Sequence, residues 1–239
     1  MQNVPTVMRR ELAAYFLSPI AYIVAAVFLL TAGLAFGLGT FRAGGEASLR
    51  PMFDGWIMVI LVFVIPVLTM RLLAEEVRAG TIEMLMTAPV TEVDVVLGKF
   101  LGAYVYYLVL LVIMLVYPLI LSFFGPVDGG LLACHYLGLL LLGALYISVG
   151  LFFSACTPHQ MIAVLLSLAV LVLMTFASHA LAQKVTGALR ALLQQLSIRA
   201  HFMDFVRGLV DLNHVVFFLT TTVFFLFLTV KWLEMRRWR

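Results

Sequence analysis

The sequence has 239 residues, of which 64% are hydrophobic and only 11% are charged, and its mean hydropathy is +1.13. Soluble domains carry roughly 25% charged residues, so this composition excludes water as the main solvent of the chain. The net charge of +3 comes from basic residues at the ends of apolar runs, not from an aromatic-interleaved basic patch, so it does not indicate nucleic-acid binding.

The segment before Pro19 predicts an amphipathic helix that lies on the membrane surface. Its apolar side chains recur at helical spacing, and Arg9 and Arg10 fall off that stripe. The stripe consists of Val4, Val7, Met8, Leu12, Tyr15 and Phe16. Ser18 can cap a new helix that has Pro19 at its first position. The charge-free run that follows is too long for a cleaved signal peptide, so we expect it to be retained as a span.

Long apolar runs predict six transmembrane helices in a single all-α domain that covers residues 1–239. The predicted spans cover residues 20–40, 56–73, 100–124, 131–155, 160–182 and 214–233. Pro66 should kink the second span. Turn formers at 125–130 and 157–159 predict short hairpins on both sides of the fourth span. Gly33 and Gly37 form a small-residue pair that could pack helices within one chain or between two subunits.

The segment 183–213 is too polar to cross the membrane and too apolar to lie in water. It therefore predicts interfacial or re-entrant helices before the last span. Asp211 and Asn213 are candidate caps for that span. Asp128, among glycines and a proline, is interpreted as an exposed hairpin tip and not as an ion site in the membrane. Arg71, at the end of the second span, is expected to extend its guanidinium to the interface.

The distribution of basic residues predicts which side the termini occupy. Six spans place both termini on one side, and basic residues are enriched in cytoplasmic segments. With cytoplasmic termini, the inner segments hold nine basic residues: Arg9, Arg10, Arg71, Arg78, Lys99, Lys231, Arg236, Arg237 and Arg239. The outer segments hold six: Arg42, Arg50, Lys184, Arg190, Arg199 and Arg207. We therefore predict that both termini are cytoplasmic.

Metal binding and catalysis are not indicated. The chain has five histidines, twelve methionines and two cysteines, but no two histidines stand at i, i+4 and there is no H-E-x-x-H motif. We interpret the methionines as adaptable packing and expect no metal site. The apolar runs show no cluster of acidic, histidine and serine residues of the kind that a membrane-embedded enzyme needs, so we expect no catalytic residues.

The segment 71–99 carries the most information, because it holds five of the twelve acidic residues of the chain. These are Glu75, Glu76, Glu83, Glu92 and Asp94. Gly80 is a natural helix stop, Thr81 can cap a short helix, and Pro89 ends it. Thr91 with Asp94 then has capping-box spacing for the next helix. By composition alone, the segment could equally be a well-capped connector between two spans.

A resemblance separates these alternatives. The sequence pattern of segment 71–99 resembles the cytoplasmic loop of ABC-2 type transporter permeases. The residues that carry the resemblance are Glu75, Glu76, Gly80, Thr81, Glu83, Leu85 and Pro89, followed by Gly98 and Lys99. Within that group the chain looks most like the gliding-motility-associated branch. The similar segments are 11–23 at the start of the chain and 205–212 before the last span.

The resemblance implies a multi-pass permease in the bacterial inner membrane, paired with a separate ABC ATPase subunit. ATP and Mg would be bound by that ATPase, and the absence of a G-x-x-x-x-G-K-[ST] motif from this sequence agrees with that division. Further implied partners are a second permease, identical or different, membrane lipid, and an extracytoplasmic accessory protein. Export is the expected direction, although mechanical work without a transported solute stays open.

The resemblance also implies roles for individual residues. The short helix predicted at residues 80–87 is expected to be a cytoplasmic coupling helix that contacts the ATPase. The predicted ATPase-coupling residues are Glu75, Glu76, Gly80, Thr81, Ile82, Glu83, Leu85 and Pro89. The candidates for an extracytoplasmic gate are Phe202, Phe205, Arg207, Gly208 and Asp211, although the same segment could be only an interfacial anchor. The alternative class is a secondary transporter or channel without an ATPase. Such proteins typically contain internal repeats or buried ionisable groups, and neither is evident in the sequence.

Overall fold

The computed structural model describes residues 3–40, 49–80, 91–125, 127–184 and 187–237. Within these ranges the regular structure is helical, without a strand. The helices are α1 Val4–Leu17, α2 Pro19–Thr40, α3 Ile57–Thr69, α4 Ala74–Ala79, α5 Glu92–Met114, α6 Val116–Ser122, α7 Gly129–Cys156, α8 Gln160–Val172, α9 Ser178–Ala182, α10 Ala188–Leu196, α11 Ile198–Val206 and α12 Leu212–Arg237. Two π-helical turns, Met52–Trp56 and Leu173–Ala177, precede α3 and follow α8.

Six helical segments are long and apolar enough to cross a membrane. Numbered as spans 1 to 6, they cover Pro19–Gly39, Met52–Ala79, Glu92–Ser122, Gly129–Cys156, Gln160–Ala182 and Leu212–Arg236. The all-helical class and the number of spans are therefore confirmed. The predicted apolar runs of spans 2 and 3 begin after the charged residues Asp54 and Lys99. In the structure, helix already begins before each of these residues, so both spans begin earlier than predicted.

Contacts between span ends define the two ends of the bundle. Lys99 of span 3 contacts Glu76 at the end of span 2. Near the end of span 6, Trp232 Nε1 donates a hydrogen bond of 3.1 Å to the carbonyl oxygen of Ala155 in span 4. We call this end the Lys99 end. The opposite end, which carries α10 and α11, is the His201 end.

Spans 2 and 4 form the core of the bundle. In the most apolar 18 residues of each of these two spans, the buried share is 67%. In the other spans the same share is 22% to 39%. Small residues allow the close packing: a Cβ on Gly143 would overlap the ring of Tyr107, and one on Gly150 would overlap the side chain of Thr69. The exposed apolar side chains of the other spans suit contact with lipid.

The N-terminal helix α1 packs tightly against the start of α5. A Cβ on Gly98 would lie 2.6 Å from the Cβ of Val7, and a Cβ on Gly102 would lie 2.8 Å from the Cβ of Glu11. Two glycines therefore let the helix axes approach more closely than larger residues would allow. This contact brings Glu11 beside Lys99, one helical turn from Gly102.

Helix α11 is anchored on span 4 by two fully buried phenylalanines, Phe202 and Phe205. A Cβ on Gly138 would lie 2.9 Å from the Cβ of Phe205, so this glycine makes room for α11. His135 Nε2 donates a hydrogen bond of 2.9 Å to the carbonyl oxygen of Val206. The segment before the last span is thus fixed to the bundle by packing and by a hydrogen bond.

Candidate coupling site at the Lys99 end

The predicted coupling segment is bounded by two well-formed helix ends. Gly80 follows α4 with a φ of 69°, a left-handed conformation that favours glycine, so the predicted helix stop is confirmed. Thr91 caps α5, and its hydroxyl oxygen accepts a hydrogen bond of 3.2 Å from the backbone N–H of Asp94, which confirms the predicted cap. The predicted residues between these ends lie outside the described residues: Thr81, Ile82, Glu83, Leu85 and Pro89.

A buried lysine joins the two flanks of this segment. Lys99 Nζ lies 2.7 Å from Glu11 Oε1 and 2.9 Å from Glu76 Oε1. Only 2% of the Lys99 side chain is exposed, and the two carboxylates are 13% and 18% exposed. A buried ammonium group is costly unless it is paired, and two carboxylates pair it here. The cluster ties α1, α4 and α5 together.

Arg10 completes the cluster from the exposed side. Its Nη2 lies 2.9 Å from Glu76 Oε1 and 3.4 Å from Glu11 Oε1, and its side chain is 57% exposed. The two carboxylates thus face two cations. We call these four residues the Lys99 cluster: Arg10, Glu11, Glu76 and Lys99. Because Arg10 is largely solvated, it contributes on the order of 0–1 kcal/mol, much less than the buried lysine.

A break in span 2 is held by a serine of span 4. The helix stops after Thr69 and restarts at Ala74. Ser154 Oγ accepts hydrogen bonds of 3.0 Å from the backbone N–H groups of Leu73 and Ala74, and it donates one of 2.9 Å to the carbonyl oxygen of Met70. One hydroxyl therefore satisfies three backbone groups that the helix break leaves without helical partners. It also links α4 to span 4.

Arg71 braces the junction between α1 and span 1. Its guanidinium donates hydrogen bonds of 2.7 Å to Ser18 Oγ and 3.1 Å to the carbonyl oxygen of Ala14. It also lies over the ring of Tyr15, 4.9 Å from the centroid. The Tyr15 hydroxyl donates to the carbonyl oxygen of Leu68 at 2.9 Å, and burial raises the pKa of this hydroxyl, so it stays a neutral donor.

The predicted small-residue pair has two different environments. A Cβ on Gly33 would lie 3.0 Å from the hydroxyl oxygen of Tyr117, which itself donates a hydrogen bond to the carbonyl oxygen of Leu29. Gly33 therefore packs within the chain. A Cβ on Gly37 would meet no described atom within 4 Å.

The predicted gate residues lie together at the His201 end, but in different roles. Phe202 and Phe205 are fully buried against span 4. Arg207 is 70% exposed and lies 3.3 Å from Asp204 Oδ1. Gly208 follows α11 with a φ of 82°. Asp211 accepts a hydrogen bond of 2.9 Å from the backbone N–H of Asn213, which confirms the predicted cap and lowers the pKa of Asp211.

A chain of three titratable side chains near the gate residues was not predicted. His201 Nδ1 lies 2.6 Å from His214 Nδ1, and His214 Nε2 lies 2.7 Å from Asp204 Oδ2. Burial is the largest effect and lowers the pKa of His201. The hydrogen bond with the Gln195 carbonyl raises this pKa by less, and His214 and Asp204 have still smaller effects that lower and raise it, respectively. A search for paired histidines on one helix could not find this group, because it joins α11 to α12. Among the described residues, no group of three potential ligands is arranged to hold a metal ion.

The fold and the site define a polytopic helical membrane protein in which an acid-rich segment between two spans is braced by buried ion pairs. A model of the family described as "ABC-2 family transporter protein" matches residues 44–198, more than half of the chain. The chain belongs to the ABC-2 family of transporter proteins. None of the curated proteins with which the sequence was compared matches it.

Membership of this family makes the chain a membrane permease component of an ABC transporter. The family is one of transport subunits that are generally not catalytic themselves. It implies an ABC ATPase as a partner and often a pair of permeases.

Proposed function

We propose that this chain is the permease of an ABC exporter and that the predicted coupling helix, residues 80–87, contacts the ATPase as part of a coupling segment at residues 81–90. ATP and Mg would be bound by the ATPase subunit, and the substrate path would form between two permeases. The Lys99 end would face the cytoplasm of a bacterium, together with both termini. The resemblance to gliding-motility-associated permeases further suggests an extracytoplasmic accessory protein.

The observation that carries this proposal is the Lys99 cluster. Glu76 lies just before the coupling segment and Lys99 lies just after it, so their contact of 2.9 Å closes the base of that segment. A force on residues 81–90 would therefore move α4 and α5 as one body and not spread them apart. Glu11 extends this body to α1 through its contact of 2.7 Å with Lys99.

The same end of the bundle offers two routes from this body to the spans. Ser154 connects α4 to span 4, which belongs to the core of the bundle. Arg71 connects the end of span 2 to Ser18, at the junction of α1 and span 1. A displacement of the coupling segment would thus reach spans 1, 2, 3 and 4 through hydrogen bonds and ion pairs. A passive connector would not need such bracing.

The coupling role can be tested with two substitutions in reconstituted membranes that contain the permease and its partner ABC ATPase. Glu83→Lys reverses a charge at the proposed contact, and Gly80→Val introduces strain at a φ of 69°. Both variants should insert, because neither residue lies in an apolar run. Both should lose transport and substrate-linked stimulation of ATP hydrolysis, while the ATPase alone keeps its basal rate.

Glu234→Lys is the matched control, because it reverses a charge at the same end of the bundle, on span 6, where Glu234 pairs with Lys231 of its own helix. It should keep coupled activity. If Glu83→Lys and Gly80→Val also keep full coupled activity, residues 81–90 are only a connector. If the purified chain transports without any ATPase, the alternative class of secondary transporter or channel is correct.

The orientation can be tested by cysteine labelling after Cys134 and Cys156 have been replaced by alanine. A reagent that cannot cross the membrane should modify a cysteine placed at Gln194 in intact cells and should not modify one placed at Ala79. Labelling at position 79 from outside would invert the proposed topology.

A further inference from the structure

A charged cavity opens at the His201 end between the start of span 2, the end of span 5 and α11. Its volume is about 730 Å³. Among the described residues, three arginines line it, Arg50, Arg199 and Arg207, together with one carboxylate, Asp54. Arg207 also lies 3.3 Å from Asp204, outside the lining. Counted over these described side chains, three arginines and two aspartates leave one net positive charge.

Both π-helical turns of the described chain border this cavity. Asp54 and Trp56 belong to the turn Met52–Trp56, and Phe176 belongs to the turn Leu173–Ala177. Insertion of a π turn costs helix stability and is found frequently at functional sites. Two such turns in different spans at one cavity indicate that its shape is maintained for binding.

An apolar groove continues from the cavity along the outside of the bundle. It lies between spans 1 and 2 and has a volume of about 340 Å³. Trp56 and Val59 line both the cavity and the groove, so the two are continuous. On span 1 the groove extends from Leu38 to Val27, which is about 16 Å at 1.5 Å per residue. That length matches one leaflet of a hydrocarbon core of about 30 Å.

The chemistry of the combined site selects its occupant. Arginine guanidiniums bind phosphate through paired hydrogen bonds, and the positive cavity favours an anion. A groove one leaflet deep, lined by Leu34, Leu38 and Phe63, favours an acyl chain over a polar tail. Trp56, 55% exposed at the junction, is a residue type enriched at the membrane interface.

We propose that this cavity and groove bind one anionic phospholipid, with its phosphate among the three arginines and one acyl chain between spans 1 and 2. The leaflet of origin follows from the proposed orientation, in which the His201 end is extracytoplasmic. The binding itself requires neither ATP nor the ATPase. A test on the permease alone is therefore independent of the proposed coupling.

The test is native mass spectrometry of the purified full chain in detergent with dioleoyl-phosphatidylglycerol or dioleoyl-phosphatidylcholine. The wild-type chain should retain the anionic lipid preferentially. Simultaneous replacement of the three arginines by glutamine should reduce that retention by about tenfold, as expected for the loss of charge-assisted hydrogen bonds. Thr31→Phe, which fills the groove, should reduce it as well.

A control variant carries Lys184→Gln and Arg190→Gln, two exposed basic residues at the same end but outside the cavity, and it should bind like wild type. If the triple variant does not elute as a folded species, Arg199→Gln alone replaces it. Equal retention of both lipids, or an unaffected arginine variant, would overturn the proposal.

The same experiment distinguishes two other possible occupants of the site. If inorganic phosphate displaces the lipid and Thr31→Phe has no effect, the site binds a free anion and the lipid assignment is wrong. If the chain forms a dimer that Thr31→Phe abolishes and that retains no lipid, the groove is a contact between two copies, which equally contradicts the proposal.

Discussion

Replacement of Lys99 by methionine should destabilise the Lys99 end more than any change to an exposed charge. Methionine keeps most of the volume but leaves the carboxylates of Glu11 and Glu76 without the cation that lies 2.7 and 2.9 Å from them. Removal of one partner from a buried ion pair typically costs about 3–5 kcal/mol. One kcal/mol corresponds to roughly 2–4 °C in a chain of this size, so we expect Tm to fall by about 10 °C.

The assay is tryptophan fluorescence of the detergent-solubilised protein during heating. Arg10→Gln is the matched control, because Arg10 touches the same carboxylates but is 57% exposed, and it should lower Tm by at most about 4 °C. Adding Glu11→Gln and Glu76→Gln to Lys99→Met removes the two carboxylate charges that have lost their buried cation and should restore part of the loss. If Lys99→Met unfolds at the same temperature as Arg10→Gln, the cluster does not hold the three helices together.

Three further predictions concern other contacts. Ser154→Ala should lower the unfolding free energy by about 2 kcal/mol in chemical denaturation, because it removes the acceptor of two buried N–H groups; an unchanged value would contradict that role. Gly98→Ala should displace α1 and lower Tm, whereas Gly37→Ala, with open space around it, should not; equal Tm values would refute the close packing. His201→Phe should make the free energy of unfolding depend less on pH between about pH 7.5 and pH 5. Since the folded pKa of His201 is depressed, its contribution is present above about pH 6.5 and is lost as pH falls towards the folded pKa, so an unchanged slope would exclude it.

Much of the fold could be predicted because its signals are local in sequence. A span needs a long apolar run, and six such runs are present. Helix ends also depend on neighbouring residues: the stop at Gly80, the cap by Thr91 and the cap by Asp211 all lie where capping chemistry predicts them. Gly80 and Thr91 thereby mark where span 2 ends and span 3 begins.

The ion pairs could not be predicted, because their partners are far apart in sequence. Glu11, Glu76 and Lys99 meet only after α1 has packed on α5, and that packing depends on the two glycines at 98 and 102. From sequence, Lys99 contributed to the count of basic residues that set the topology and to the pattern that resembles ABC-2 permeases, and neither indicated its partners. The contact of Arg71 with Ser18 is equally non-local.

The π-helical turns and the histidine contact were missed for related physical reasons. A π turn shifts the register of backbone hydrogen bonds, and the apolar pattern around Trp56 and Phe176 does not reveal that shift. His201 and His214 approach each other only because α11 folds back against α12. The predicted gate residues Phe202 and Phe205 were identified as important apolar positions, but their complete burial depends on the space left by Gly138.

The central claim is that residues 81–90 contact the ATPase, and site-specific photo-crosslinking tests it most directly. A photoreactive amino acid placed at position 83 should crosslink to the co-expressed ABC ATPase in membranes, and the same group at Gln194, at the His201 end, should not. A crosslink from the Arg9 position combined with none from position 83 would contradict the account, because the ATPase would then dock on α1 and residues 81–90 would only connect two spans.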